Sequence, residues 1–349
     1  MVVANPDVQT VREIVARACR APSLHNSQPW RWTWNGEFLR LYAEERRLLP
    51  YTDAFNRQGI IACGAALDHA QVAGAAAGWE MQASVFPDPL DRAHLASLLF
   101  RGRHAPLEAD ELLGTAIETR YTDRLPFTAP FQWSGLDVVL RTLCRSFGTH
   151  LHVVDRSRHR DLNRISDTAA ALRRADPRYQ EELHGWAGDT WRPYAGVPAS
   201  ARATAQAAEK VAAGRMFPVG AAGAATGFQI EDRAVLVVLS SDSDAVESVL
   251  DCGRALSQLL LECTVEGMST CALTHVTETP SVRAMVSDLL GLDYPQVLVR
   301  IGQATAPRPP RTPRLPLESV LDTGHESPQA GKWPAADDSP PPNPFRRKG

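Results

Sequence analysis

Apolar and polar positions alternate along this chain with two different periods, and each change of period marks a predicted element. Residues 11–19 carry apolar side chains at helical spacing, which predicts an amphipathic helix. Pro22 ends this helix, because proline disfavours helical geometry at the residue before it. Trp30–Trp34 then alternates as a half-buried strand does. A short loop of uncharged hydrogen-bonding residues separates the helix from the strand.

A similar order of elements is predicted twice. In the first part, the small-residue run 63–77 predicts a closely packed helix, and residues 79–86 predict the strand that follows it. The predicted elements of the second part are helices at 112–118, 162–173 and 249–266 and strands at 149–154 and 234–239. A small-residue helix ends at a glycine once in each part, at Gly78 and at Gly267. We therefore interpret the chain as a degenerate duplication.

Composition narrows the class of protein. The chain has 349 residues, of which 44% are hydrophobic and 22% charged, and this length suits two domains or a duplicated one. The formal net charge of -3 argues against nucleic-acid and membrane partners. The six cysteines form no Cys-x-x-Cys pair, and the N-terminus has no signal-peptide pattern. We expect buried free thiols and a cytoplasmic protein.

The loop that follows the first helix carries the most specific motif. Residues 21–30 read A-P-S-L-H-N-S-Q-P-W, and such amides and hydroxyls beside aromatics suit a flat heteroaromatic ligand. The run resembles the A-P-S-x-x-N-x-Q-P-W loop of the nitroreductase-like flavoproteins, which contacts the isoalloxazine ring of FMN. The resemblance implies that the cofactor is bound by Pro22, Ser23, Leu24, Asn26, Gln28 and Trp30. The alternative is a capped helix end with a buried tryptophan anchor.

Two further segments resemble the phosphate-binding motifs of the same family. Arg120-x-Thr122-x-Arg124 resembles its R-x-S-x-R/K signature, which implies that Arg120 and Thr122 hold the FMN phosphate. Arg124 would then approach the pyrimidine edge of the ring. The alternative for this segment is an arginine-rich surface turn. Residues 313–318 resemble the family's R-x-P-L-x-E ending, in which a late arginine, here Arg314, closes over the phosphate.

A third segment resembles the family's loop at flavin atom N5. Residues 267–275 read G-M-S-T-C-A-L-T-H, against the family's G-L-G-T-C-x-x-G-G. The resemblance implies that Leu273, Thr274 and His275 contact the cofactor, with a backbone N–H near Thr274 facing N5. Thr274 and His275 replace small or acidic residues of the common pattern. They would crowd the space in which a nicotinamide stacks.

The division of motifs between the halves predicts the architecture. The first half has the ring-contacting loop without the phosphate signature, and the second half has the reverse. This is the plan of the Acg-type single-chain subgroup, which implies an α+β, nitroreductase-like fold whose two tandem halves form an intramolecular pseudo-dimer. The predicted parts are residues 1–105, residues 106–322 and a disordered tail at 323–349. An aromatic-containing insertion at about 184–227 is either a lid over the site or a peripheral addition.

The expected function is that of an FMN-binding, NAD(P)H-dependent oxidoreductase with one FMN per chain and a small electron acceptor. The alternative is a flavin-sequestering or storage protein with little catalysis, and a third option is a protein without cofactor that acts by interaction. Other enzyme classes find little support. The sequence shows no Gly-x-Gly-x-x-Gly after a strand and no Gly-x-Ser-x-Gly, and His150 and His152 have no third ligand at suitable spacing.

Overall fold

The computed structural model of the protein describes residues 5–187, 194–202, 210–211, 213–215 and 231–324. Within these residues the chain forms eight α-helices and nine strands, so the α+β class is confirmed. The helices are α1 (Val8–Ala18), α2 (Arg57–Ala76), α3 (Glu108–Thr119), α4 (Trp133–Arg145), α5 (His159–Arg174), α6 (Pro177–Ala187), α7 (Val246–Val265) and α8 (Pro280–Leu290). The strands are β1 (Trp30–Trp34), β2 (Phe38–Ala43), β3 (Trp79–Val85), β4 (His94–Arg103), β5 (Thr149–Val153), β6 (Val235–Ser241), β7 (Ser269–Leu273), β8 (Tyr294–Gly302) and β9 (Leu321–Asp322).

The elements predicted from periodicity are confirmed, with shifted ends. Strand β1 has the predicted bounds, whereas α2 begins at Arg57, a turn and a half before the predicted start. Strands β2, β4, β7, β8 and β9 and helices α4, α6 and α8 were not predicted, and residues 269–273, which were expected within a loop, form strand β7. Most of the predicted insertion at 184–227 and nearly all of the predicted tail at 323–349 lie outside the described residues.

The two sheets have the same strand order around their central helices. The first sheet runs β3-β4-β2-β1, with β9 added in parallel beside β1, and the second runs β7-β8-β6-β5. All other pairings are antiparallel. Helix α2 connects β2 to β3, and α7 connects β6 to β7. Apart from β9, which the second half adds to the first sheet, each half of the chain therefore builds one four-stranded sheet with the same connectivity.

The two central helices pack against each other and join the halves. Helix α2 is rich in alanine and glycine and is buried along most of its length, as is α7. Each helix is followed by a glycine with positive φ, +77° at Gly78 and +71° at Gly267, as the sequence predicts. Side chains of α7, Leu250 and Leu261, lie in the same core cluster as the first sheet. The interface between the halves is thus continuous with the first core.

The apolar positions of the predicted elements lie in the hydrophobic cores around the two sheets. Trp30 and Trp32 of β1 are fully buried between the first sheet and the helices that cover it. Apolar residues on the two faces of the second sheet pack against α7 on one side and α5 and α8 on the other. All six cysteines are buried and none forms a disulfide, which confirms the expectation of free thiols. No helix in the described part of the chain combines the length and apolar character that a membrane crossing requires.

Candidate functional site

The loop between α1 and β1 has an unusual backbone. His25, Asn26 and Gln28 have φ values of 51°, 55° and 53°, in the left-handed region that side chains with a Cβ rarely adopt. The amide N–H of Gln28 donates to Ser23 Oγ at 3.0 Å, which closes the loop on itself. Such conformations persist where surrounding contacts hold them, and they cluster at ligand-binding positions.

The same loop is fastened to the segment that carries the late arginine. Asn26 Nδ2 donates to the carbonyl of Pro313 at 3.1 Å, and the backbone N–H of Leu315 donates to Gln28 Oε1 at 2.9 Å. These two bonds hold the residues on either side of Arg314. Two motifs separated by most of the sequence are therefore adjacent in space.

The segment that contains the arginine–threonine signature lies along β7. Arg120 is the residue at which α3 ends, and the next residues run beside the strand. Thr122 pairs with Thr270, and the N–H of Asp123 donates to the carbonyl of Thr270 at 3.0 Å. Because β7 leads directly to residues 273–275, the signature and the predicted N5 loop lie on the same strand edge.

Two adjoining cavities open between these segments. The first encloses about 930 Å³ of empty space, including its open mouth, and is walled by the loop at 22–25, the start of α2 and the end of β7. The second encloses about 600 Å³ and shares Pro22, Ser23, Thr122 and Arg124 with the first. Five further arginines line the second cavity: Arg20, Arg120, Arg308, Arg311 and Arg314. The first cavity, which is partly apolar, therefore continues into the strongly cationic second cavity. We call the two cavities together the cleft.

Arg120 and Arg314 stand out among these cations. Arg120 is 7% exposed and donates to the carbonyl of Arg20 at 3.3 Å, and Arg314 is partly buried and donates to the carbonyls of Cys19 and Arg20 at 2.8 and 3.0 Å. Within the described ranges neither guanidinium is paired with a carboxylate. Burial, followed by the neighbouring guanidiniums, lowers the pKa of Arg120 to about 10 and that of Arg314 to about 9. A bound anion would offset this unfavourable charge.

The structure brings most of the sequence-predicted residues to the cleft. Those that line it are Pro22, Ser23, Leu24, Asn26, Arg120, Thr122, Arg124, Leu273, Thr274 and Arg314. The other three, Gln28, Trp30 and His275, do not line it. Gln28 is fully buried and Trp30 lies in the first core.

His275 points away from the cleft toward α5. Its Nε2 lies 2.8 Å from Ser166 Oγ, and burial, helped by the charge of Arg215, lowers its pKa to about 3. The ring is therefore neutral at physiological pH. Of the two residues expected to crowd the nicotinamide space, only Thr274 lines the cleft.

Thr274 is tied into a buried ionic group. Its hydroxyl donates to Glu278 Oε1 at 2.7 Å and accepts from Arg215 Nη2 at 3.2 Å. Arg215 also forms an ion pair with the Glu278 carboxylate and donates to the hydroxyl of Tyr179 at 3.2 Å. The side chains of Arg215 and Glu278 are 7% and 0% exposed. Arg215 belongs to the predicted insertion, so part of that insertion contacts the predicted N5 loop.

Other described residues of the insertion also contact the site. The carbonyl of Tyr194 accepts from Gln28 Nε2 at 2.8 Å, and the carbonyl of Ala201 accepts from Arg124 Nη1 at 2.8 Å. Val211 and Gly214 line the first cavity with Arg215. The described parts of the insertion thus lie against the cleft.

Sequence reasoning did not assign several polar residues of the first cavity, among them His25, Arg215, Gln58 and Arg300. Gln58, on the first turn of α2, is 2% exposed, and neither its Nε2 nor its Oε1 has a hydrogen-bond partner in the part of the chain that the structure describes. Arg300 of β8 is fully buried; its Nη2 donates to both oxygens of Asp232 at 2.9 Å, while Nε and Nη1 have no hydrogen-bond partner. An arginine within the apolar run of a buried strand was a readable signal for Arg300. Nothing local distinguished Gln58.

The two histidines on β5 have other partners. His150 Nε2 lies 2.7 Å from Asp242 Oδ1, and His152 Nε2 lies 2.9 Å from Ser240 Oγ. Across the described ranges, no group of three His, Cys, Asp or Glu side chains is placed to bind a metal ion.

Comparison with known proteins gives concordant results. Residues 148–303 match the model of the nitroreductase family. Over 314 residues the chain is 39% identical to "Putative NAD(P)H nitroreductase acg" of Mycobacterium tuberculosis, which covers 89% of this chain and 95% of that protein. It is 33% identical over 331 residues to "Putative NAD(P)H nitroreductase Rv3131" of the same organism, covering 92% and 93%. Among solved structures, a nitroreductase with bound FMN from Bacteroides fragilis aligns at a TM-score of 0.35 and 17% identity, over 57% of this chain and 93% of that one.

Proposed function

The chain belongs to the nitroreductase family, and from this premise we propose that it binds one FMN in the cleft and transfers reducing equivalents from NAD(P)H to a small electron acceptor. The observation that carries the proposal is the pair Arg120 and Arg314, a buried and a partly buried guanidinium without a carboxylate partner in the described part of the chain. Phosphate is the ligand group that such a pair binds best, because guanidinium donors match its oxygens in charge and geometry.

The residues around the cleft fit the parts of FMN in order. Arg120 and Arg314 would hold the phosphate with the hydroxyl of Thr122, and the loop at 22–24 would contact the ring. Arg124 lines both cavities, so its charge would act where the ring meets the cationic part of the cleft. FMN supplies the capacity to accept and donate hydride, and a nearby cation favours its anionic reduced form.

We also propose that residues 1–105 and 106–322 form a pseudo-dimer with one composite site. The matching strand orders of the two sheets support it, as does the packing of α2 on α7. Contributions to the cleft come from both parts: the loop at 22–25 and Gln58 from the first, Arg124 and Thr274 from the second. In a true homodimer of this kind each site would likewise be made from both subunits.

The phosphate assignment is tested by titrating FMN into Arg120→Ala and Arg314→Ala. Each lost charge-assisted bond is worth roughly 1.5–3 kcal/mol, so we expect FMN binding to weaken about tenfold or more in each variant. Arg254→Ala is the matched control, since Arg254 stacks on Phe147 outside the cleft. Unchanged affinity in both cleft variants would disprove the assignment.

The composite site is tested in the loop of the first half. The double variant Asn26→Ala/Gln28→Ala removes the bonds to Pro313 and Leu315 that hold the Arg314 segment. We expect a shifted flavin absorption spectrum and weaker FMN binding, with secondary structure retained. Asn35→Ala is a control, because Asn35 caps the β1–β2 turn away from the cleft. A double variant with the native spectrum and affinity would refute the composite site.

Storage of flavin is the second candidate function, and one observation favours it. Arg215 is bonded to Thr274 and Glu278 beside the predicted N5 position, where a nicotinamide would need to stack. Anaerobic addition of NADPH to the purified flavoprotein distinguishes the two. Bleaching of the flavin within seconds supports the reductase, and a persistent oxidised spectrum supports storage. A colourless protein that FMN cannot reconstitute would point instead to a role in interaction alone.

A further inference from the structure

Gln58 lines the first cavity and carries a buried primary amide that no described residue satisfies. The residue is 2% exposed, and within the described ranges neither Nε2 nor Oε1 has a hydrogen-bond partner. A buried amide in this state destabilises a protein, because it has lost its bonds to water and gained none. Side chains retained in such a position are commonly completed by a ligand.

The surroundings of Gln58 make it a polar point on an apolar wall. Ile61 and Ala62 of the same helix, Leu256 of α7 and Val297 of β8 line the same cavity. None of these side chains can donate or accept a hydrogen bond. The cationic residues of the cleft come from other segments, so charge does not account for an amide at this place.

We propose that Gln58 binds the amide or imide edge of the ligand in the cleft, an inference that rests on the proposed function. A primary amide offers donors on nitrogen and an acceptor on oxygen. Its complement is a group that presents one acceptor beside one donor. Two sources have this chemistry: the N3–H and C4=O edge of the flavin ring, and the carboxamide of a nicotinamide. A plain aromatic or carboxylate ligand lacks the paired donor and acceptor.

The inference predicts effects of opposite sign on stability and on binding. Gln58→Leu removes the unsatisfied amide, so the FMN-free protein should unfold at an unchanged or higher temperature. The same change removes two hydrogen bonds to the ligand, so the ligand should bind at least tenfold more weakly. If Gln58 had a purely structural role, Gln58→Leu would lower the unfolding temperature and leave the ligand affinity of the folded protein unchanged.

The matched control lies on the same helix. Gln71 donates to the carbonyl of Met81 at 3.2 Å and accepts from Arg254 Nη2 at 3.2 Å, outside the cleft. Gln71→Leu should therefore leave ligand affinity unchanged without raising the unfolding temperature. If Gln58→Leu does not fold, the same measurements are made on Gln58→Met, which keeps an unbranched side chain.

Two titrations separate the sources of the amide edge. FMN is titrated into the cofactor-free protein by fluorescence quenching, and NADP⁺ into the FMN-loaded protein by difference absorption. Weaker FMN binding supports contact with the flavin edge, and weaker NADP⁺ binding at unchanged FMN affinity supports the carboxamide. FMN affinity within twofold of the native protein, with NADP⁺ binding unchanged or absent in both, overturns the inference. Failure of the unsubstituted protein to bind FMN overturns the proposed function instead.

Discussion

Gly64 of α2 and Gly253 of α7 lie back to back, each against the backbone of the other helix. A Cβ on Gly64 would overlap the carbonyl oxygen of Leu250, and a Cβ on Gly253 would overlap that of Ile61. Leu250 precedes Gly253 by one helical turn, and Ile61 precedes Gly64 by the same turn. Gly64 contacts α7 in the same way as Gly253 contacts α2, and such reciprocal contacts are typical of a two-fold axis. This reciprocity favours an origin of the chain by duplication.

Both glycines are therefore expected to be intolerant of a methyl group. Gly64→Ala and Gly253→Ala should each lower the free energy of unfolding by about 1–3 kcal/mol, because the helices must move apart. The double variant should cost less than the sum, since one displacement relieves both overlaps. Urea unfolding measures the effect.

Gly135 of α4 provides the control for these substitutions. Nothing lies within 4 Å of a Cβ placed there, so Gly135→Ala should stabilise the protein by about 0.5–1 kcal/mol through helix propensity. Losses at Gly64 and Gly253 no larger than 0.3 kcal/mol would contradict the close approach of the two helices.

Asp68, at the same helix interface, should make stability depend on pH. It accepts from Ser257 Oγ at 2.5 Å and Gln258 Nε2 at 2.8 Å, and burial raises its pKa to about 6. The native state then binds more protons than the unfolded state between about pH 4 and pH 6. The free energy of unfolding therefore falls as pH rises through that window.

The variant Asp68→Asn tests this sign. The free energy of unfolding of Asp68→Asn, minus that of the unsubstituted protein, should increase from pH 4 to pH 7 by up to roughly 3 kcal/mol, at 1.36 kcal/mol per pKa unit. The difference between the two proteins is the quantity to measure, because neutral buried His69, whose pKa burial lowers, acts with the opposite sign. Asp161→Asn, in an exposed pair with Arg164, is the control. A difference that stays constant with pH would contradict the raised pKa.

The cationic part of the cleft should respond to anions before any flavin is present. Inorganic phosphate at a hundredfold excess over its Kd should stabilise the FMN-free protein by about 2.7 kcal/mol. Arg120→Met should stabilise the FMN-free protein in chloride buffer, since it removes an unfavourable buried charge, and should abolish the response to phosphate. Thermal unfolding with and without phosphate measures both effects. An undiminished phosphate response in Arg120→Met would mean that the anion binds elsewhere.

The contact between Arg215 and Thr274 tests whether the insertion shields the flavin. In the double variant Arg215→Met/Glu278→Gln, both charges of the buried pair are removed together, because loss of either one alone leaves an uncompensated charge. Arg173, 3.8 Å from the Glu278 carboxylate, keeps its bonds to the carbonyls of Tyr51 and Thr52. We expect the bound flavin to be reduced by dithionite several-fold faster, as lids exclude anions and water. Stopped-flow absorption gives the rate, with Arg164→Met as the surface control. An unchanged rate would indicate a peripheral insertion.

Local pattern was sufficient where an element depends on its own residues. The alternation at 30–34 gives β1 its exact bounds, and the two helices that end at Gly78 and Gly267 follow from small and apolar residues alone. The loop at 21–30 has the polar and aromatic chemistry that suits a flat heteroaromatic ligand, and the resemblance of all four motif segments to the family implies FMN. Strand β4 was missed, because it is stabilised by pairing with β2 and β3 and has no clear period of its own.

Only the tertiary structure decided which motif residues line the cleft. Gln28 turns its amide to Leu315 and Tyr194, and His275 turns to Ser166, whereas Gln58 lines the cleft with an amide that has no partner among the described residues. Periodicity reports whether a side chain is buried, but a buried side chain can face a core, a backbone or a ligand. Those three environments differ in the atoms that distant segments bring near, and that proximity is set by the packing of the two halves.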